Sequence, residues 1–180
     1  MYNNQNREVV LYIAQSLDGY IATESGGLEW LDTVAAEGED YGYNKFVATV
    51  DTVILGRKTY DKVMSFGIEF PHKGRKTFVL SRSLSGKTDD VLFYNGDVSS
   101  LINEIRQSPG MNIYVDGGSE LVLEMLKNDL IDRFIISIIP VMLGSGIRLF
   151  QSGFSQMNVS LDDCLKFPSG LVQLHYSRKR

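Results

Sequence analysis

The chain of 180 residues contains a single cysteine, Cys164, and two histidines, His72 and His175. One thiol forms no internal disulfide and builds no cysteine-based zinc site, which fits a reducing compartment. The histidines stand at no spacing that suggests a catalytic or metal-ligand partner, and neither is given a role. Positive charge is not in excess. The 18 Lys and Arg face 22 Asp and Glu, a net charge of −4, so no general nucleic-acid binding is expected. Long apolar runs are missing too. The longest, around Phe134 to Leu143, is broken by Ser137 and Pro140 and is too short to cross a bilayer. The start, Met1 to Glu8, lacks a basic stretch followed by an apolar one. No signal peptide, no membrane partner and a cytoplasmic location are therefore expected.

A hydrophobic fraction of 43% and a charged fraction of 22% are those of an ordinary globule, and the length suits one domain over residues 1–180, with 1–8 and 177–180 as tails. Apolar runs alternate with helical patterns. Strands are expected at 9–14, 52–55, 77–80, 91–94, 112–115 and 133–139, and helices at 38–50, 59–64, 98–108 and 119–127. Asp97 is a natural start for the third helix. The tail, 159–180, splits at Pro168-Ser169-Gly170 into a hairpin. This alternation predicts an α/β fold: a largely parallel sheet with helices on both faces and an antiparallel hairpin at one edge.

Three turns carry the chemistry. The apolar run Val53-Ile54-Leu55 stops at Gly56, and Arg57, Lys58 and Thr59 follow directly. A glycine between strand and helix lets an anion approach backbone N–H groups, and the cations supply charge. The second turn is Ser81-Arg82-Ser83 and the third is Asp116-Gly117-Gly118-Ser119. All three follow predicted parallel strands, at the edge where open α/β sheets bind ligands. A diphosphate suits Gly117-Gly118-Ser119, and a second phosphate suits Arg57, Lys58, Ser81 and Arg82. That pattern describes a dinucleotide with a 2′-phosphate. Each turn alone also reads as an ordinary loop with solvated cations. The Rossmann G-x-G-x-x-G is absent: Gly144-Ser145-Gly146 begins one, but Leu149 stands at the third glycine.

Strand-Gly-Arg-x-Thr, a Ser/Arg loop after the next strand, and strand-Gly-Gly before a helix form a series that resembles the dihydrofolate reductase fold. Pro140 to Gly146, with Leu149-Phe150, and Ser16-Leu17-Asp18-Gly19 resemble one branch, the reductase domain of riboflavin biosynthesis (RibD C-terminal domain). The resemblance spans roughly 9–176. It implies an eight-stranded sheet with NADPH across it. Arg57, Lys58 and Thr59 would then meet cofactor phosphates, Ser81 and Arg82 the 2′-phosphate, and Gly117, Gly118, Ser119 and Glu120 the diphosphate. It also implies a cis peptide between Gly117 and Gly118, and a homodimer for which the run from Phe134 to Met142 offers apolar surface.

The activity so implied is NADPH-dependent reduction of a small heterocyclic or carbonyl compound, such as 5-amino-6-(5-phosphoribosylamino)uracil. Dihydrofolate reduction and a non-catalytic nucleotide-binding module are the alternatives. Asp18, Asp40 and Asp116 are candidate acids near the nicotinamide, with Trp30 closing the substrate pocket. Each has a structural alternative: an Asx turn at Asp18, a helix start at Asp40, a helix cap at Asp116 and a core position for Trp30. The chain departs from the branch where Tyr12 replaces a lysine of the first strand, where ribose-phosphate residues lack counterparts, and where the often-fused deaminase domain is absent. It thus resembles a stand-alone relative with an altered substrate.

Overall fold

The computed structural model describes residues 7–88 and 91–179. Its centre is β1 (Val9–Ser16), whose continuous apolar start is what a strand covered on both faces requires. β1 pairs in parallel with β7 (Asn112–Gly117) on one side and β8 (Arg133–Ile139) on the other. Beyond β7 lie β3 (Val50–Gly56), β4 (Lys76–Leu80) and β6 (Leu92–Tyr94), all parallel. Antiparallel strands close both ends. β11 (Val172–Arg178) and then β10 (Val159–Lys166) extend from β8, and β5 (Gly86–Lys87) extends from β6. The order is β10-β11-β8-β1-β7-β3-β4-β6-β5. β2 (Tyr20–Ala22) and β9 (Ile147–Arg148) form a separate antiparallel pair, because both belong to loops that leave the carboxyl ends of β1 and β8.

Alternate residues of each strand face opposite layers. Leu11, Ile54, Ile113 and Val115 pack under α3 (Val98–Gln107) and α4 (Ser119–Lys127), against Leu101, Ile102, Val122 and Met125. Val10, Val53, Leu55, Val79 and Tyr114 face the other layer, with Phe46 of α1 (Tyr43–Val47) and Tyr60 and Val63 of α2 (Arg57–Ser65). A third cluster joins Trp30, Val34, Ile139 and Leu171.

Several expectations need correction. The sheet has nine strands where the resemblance implies eight; the short β5 is the outermost. The helix expected over 38–50 shrinks to α1, since Tyr41 (φ 55°) and Gly42 (φ 82°) are left-handed and Val50 already belongs to β3. The segment at Trp30 is a 3₁₀ helix, Glu29–Val34. Neither tail is wholly loose. Arg7 is buried and donates to the carbonyls of Met111 and Ile105, while Ser177 and Arg178 belong to β11. Phe134, Ile135 and Ile136 are buried in an inner strand, so that part of the run is core rather than surface. Asp97 starts α3 as expected, accepting from the Ser100 N–H at 2.7 Å.

Candidate active site

Six parallel strands bring their carboxyl ends to one edge, and the three sequence-marked turns all lie there. α2 and α4 begin at Arg57 and Ser119, directly after Gly56 and the glycine pair. Neither start has a side-chain cap, unlike α3, so their first N–H groups remain available to an anion. The two starts are neighbours. A Cβ on Gly56 would lie 3.6 Å from the Gly118 nitrogen, and one on Gly118 would lie 3.1 Å from the Thr59 hydroxyl. The Gly117–Gly118 peptide is cis, as the resemblance implies. Gly117 has φ 107°, a conformation that favours glycine. Ser119 is buried and accepts from the Gln151 amide at 2.9 Å.

The cations gather around one carboxylate. Lys58 Nζ lies 2.6 Å from Glu120 Oε1, and Arg82 Nη2 lies 3.5 Å from Glu120 Oε2. The Lys58 bond is the main reason that the Glu120 carboxyl titrates below its ordinary value. These side chains are exposed, so the pairs contribute little to stability and can rearrange around a ligand. Arg57 turns along its own helix to Asp61, at 2.6 Å, and packs over the Phe93 ring. Ser81 Oγ accepts from the backbone N–H groups of Ser83 and Leu84 and so shapes the loop that carries Arg82.

Asp116 points into the layer of α1 and α2, beside the glycine pair. Its Oδ1 accepts from the Tyr114 hydroxyl at 2.6 Å, and its Oδ2 lies 3.1 Å from His72 Nε2. The side chain is 20% exposed, whereas His72 is 2% exposed. The imidazole packs edge-on against Phe70 and Tyr114, and its Nδ1 is buried without a partner. An orphaned buried polar atom costs about 1–3 kcal/mol. Tyr12, Tyr43 and Phe46 complete the wall. Burial, and next the charge of Asp116, pushes the Tyr43 hydroxyl up to about 12; burial raises Tyr12 and Tyr114 as well. Sequence reasoning gave His72 no role. It comes from the loop between α2 and β4, 44 residues from Asp116, so no local spacing marks the pair. His175 also has a partner, Gln173 Oε1 at 2.8 Å.

The other candidates are held by their surroundings. Asp18 accepts from the Ser16 hydroxyl at 2.6 Å and from the backbone N–H groups of Leu143 and Gly144. These bonds, Ser16 first, lower its carboxyl to about 2 and tie the β1 turn to the loop after β8. Asp40 accepts from the Gly42 and Asn44 N–H groups at the start of α1, and the Asn44 bond is the leading cause of its lowered pKa. Trp30 is 8% exposed in the third core cluster, and its indole N–H is buried without a partner. Tyr12 donates to the Tyr41 carbonyl at 2.9 Å and accepts from Gln173. At Tyr12, where the resemblance implies a lysine, this chain has an aromatic ring stacked on Phe46.

Comparison with known proteins agrees with this architecture. An uncharacterised protein of Bacillus subtilis, YwjB, is 44% identical over 173 residues, covering 96% of this chain and 98% of its own. The crystal structure of a protein of Shewanella sp. PV-4 named for riboflavin biosynthesis is 32% identical, with a TM-score of 0.89, covering 96% and 99%. The diaminohydroxyphosphoribosylaminopyrimidine deaminase/5-amino-6-(5-phosphoribosylamino)uracil reductase of Thermotoga maritima shares the fold at 17% identity and a TM-score of 0.75. The match covers 97% of this chain but 57% of that one. The model of the RibD C-terminal domain family matches residues 7–173. With that match over nearly its whole length, the chain belongs to the RibD C-terminal domain family.

Proposed function

We propose that the protein is an NADPH-dependent reductase of a small heterocyclic substrate, of the kind represented by 5-amino-6-(5-phosphoribosylamino)uracil. One observation carries the reading: two uncapped helix starts lie side by side at the sheet edge, with Lys58, Arg82 and Thr59 around them. Free N–H groups and exposed cations fit a diphosphate and a 2′-phosphate. Gly117, Gly118 and Ser119 would receive the diphosphate. Arg57, Lys58, Ser81 and Arg82 would meet the remaining phosphate, with Glu120 releasing its cations. The dinucleotide supplies hydride when bound. The chain's own part is to orient the ring and exclude water, and Asp116 is the acid best placed to touch substrate. Asp18 and Asp40 already accept from backbone N–H groups, which supports a loop-shaping role for them in this reading.

Titration with NADPH tests this directly. The expected result is a change in NADPH fluorescence, a raised melting temperature, and oxidation of NADPH when the aminouracil phosphate is added. Absence of both binding signals would sink the reading. A second reading, a nucleotide-binding module without turnover, is favoured by Tyr12 filling the lysine position. Turnover of any pterin, deazapterin or aminouracil phosphate excludes it.

A cytoplasmic homodimer belongs to the same proposal. Among the described residues no helix is long and apolar enough to cross a membrane. A hollow of about 300 Å³, lined by Phe134, Ile136, Phe154, Met157, Leu174 and Tyr176, opens at the β8–β11–β10 end of the sheet. Val159 and Leu161 of the outer strand β10 are exposed on the same face of the sheet. A second copy would cover both the hollow and this free edge. Sedimentation as a monomer at micromolar concentration would remove the dimer.

A further inference from the structure

Among the described groups, the buried His72 stands out because the reaction outlined above does not use it. A histidine at 2% exposure, packed between Phe70 and Tyr114, sits where a plain aromatic ring would fill the same space. Among the described residues its Nδ1 has no partner, so the ring's polar bonding goes to one group alone. Among the described residues the ring's one polar contact is Nε2 to Asp116 Oδ2, at 3.1 Å. With a carboxylate as partner, Nε2 carries the hydrogen and donates. The Tyr114 hydroxyl donates to the other oxygen. Two rigid, buried donors from different parts of the chain thus grip a carboxylate that remains partly exposed beside Gly117.

We propose that His72 is a positioning residue: with Tyr114 it fixes the Asp116 carboxylate, whose remaining lone pairs accept a hydrogen bond from a ring N–H or amino group of the substrate. The inference rests on the reductase reading and names the substrate chemistry of that same site, a planar ring that donates hydrogen bonds. Each carboxylate oxygen has two lone pairs, and each spends one on the protein. Without His72 the carboxylate turns about its own bonds, and the geometry that selects the ring is lost. The ionisable groups around the pair are Tyr43 from α1, Tyr12 from β1, Tyr60 from α2, Arg75 from the segment before β4, and Tyr114 beside Asp116.

The test compares wild type, His72→Phe, His72→Gln and Asp116→Asn as full-length proteins. NADPH dissociation constants come first, from fluorescence. Steady-state kinetics with 5-amino-6-(5-phosphoribosylamino)uracil follow, as KM, kcat and the pH profile of kcat/KM. His72→Phe is expected to raise KM about tenfold or more, as for loss of a well-placed charged hydrogen bond, with a smaller change in kcat and an altered pH profile. His72→Gln, whose amide can donate from nearly the same place, is expected to recover most of the loss. NADPH affinity should stay within about twofold in all four. The chain has two histidines, so ¹⁵N-histidine spectra resolve each. The His72 imidazole signals should move in Asp116→Asn while those of His175 stay. The proposal is overturned if NADPH binds and His72→Phe keeps the wild-type KM and pH profile, or if the aminouracil does not bind the wild-type cofactor complex. Failure of NADPH to bind at all is a different result, and defeats the reductase reading itself.

Discussion

Replacing Arg82 by alanine separates the cofactor reading from every structural role. The side chain is 95% exposed, and its contact with Glu120, itself 58% exposed, spans 3.5 Å. Removing it leaves no cavity and orphans no buried group, so the melting temperature should hold within about 1 °C. If Arg82 meets a 2′-phosphate, one charge-assisted bond is lost, worth about 1.5–3 kcal/mol. At 1.4 kcal/mol per decade that is roughly 10- to 150-fold in the NADPH dissociation constant. NADH has no 2′-phosphate, so its affinity should change by about twofold at most. The loss should shrink as salt rises, because exposed charges are screened within about 10 Å at 0.1 M. Fluorescence titration of both dinucleotides at two salt concentrations measures all of this. Equal losses for NADPH and NADH, or no loss for either, would refute the assignment of Arg82.

Three further outcomes are expected. Asp18 has a folded-state carboxyl near 2, below the reference 3.8, so its stabilising effect is complete above the reference value and is lost as pH falls through about 2; melting curves should show a smaller acid-induced drop in Asp18→Ala than in wild type, and identical slopes would contradict this. Gly146→Ala places a Cβ 2.3 Å from the Ala22 carbonyl at φ 147°, so urea denaturation should show a loss of about 1–3 kcal/mol or more; a loss below about 0.5 would show that the β2–β9 pair yields easily. Ile102→Ala empties a fully buried site under α3 and should cost about 2–5 kcal/mol in the same assay, while NADPH affinity of the folded protein stays within about twofold.

The strands and long helices were legible because their signals are local. Apolar runs ended by glycine marked β3 and β7, and the run up to Pro140 marked β8. Heptad-like spacing with Asp97 in front gave α3, and Ser119 to Lys127 was read to the residue. The short elements were not. β2, β5 and β9 span two or three residues and exist only because a partner strand is brought beside them. Likewise, Tyr41 delays the start of the expected helix because its carbonyl is held by Tyr12 and Gln173 and its hydroxyl by Ser169, contacts that span up to 132 residues of chain.

For the site, the sequence alone marked the edge proposed to bind anions. Glycine turns, cations and helix starts are each written in consecutive residues, and parallel strands carry them to the same end. It also named Asp18, Asp40 and Asp116 as candidate acids, with Asp18 slightly ahead. Tertiary structure is what the proposal for Asp116 rests on. It engages Asp18 and Asp40 with backbone N–H groups, fills the Tyr12 position with a stacked ring, and brings His72 to Asp116 across 44 residues. A hydrogen bond depends on distance and direction in space, whereas the order of residues records only neighbours along the chain, so the grip on Asp116 exists only in the fold.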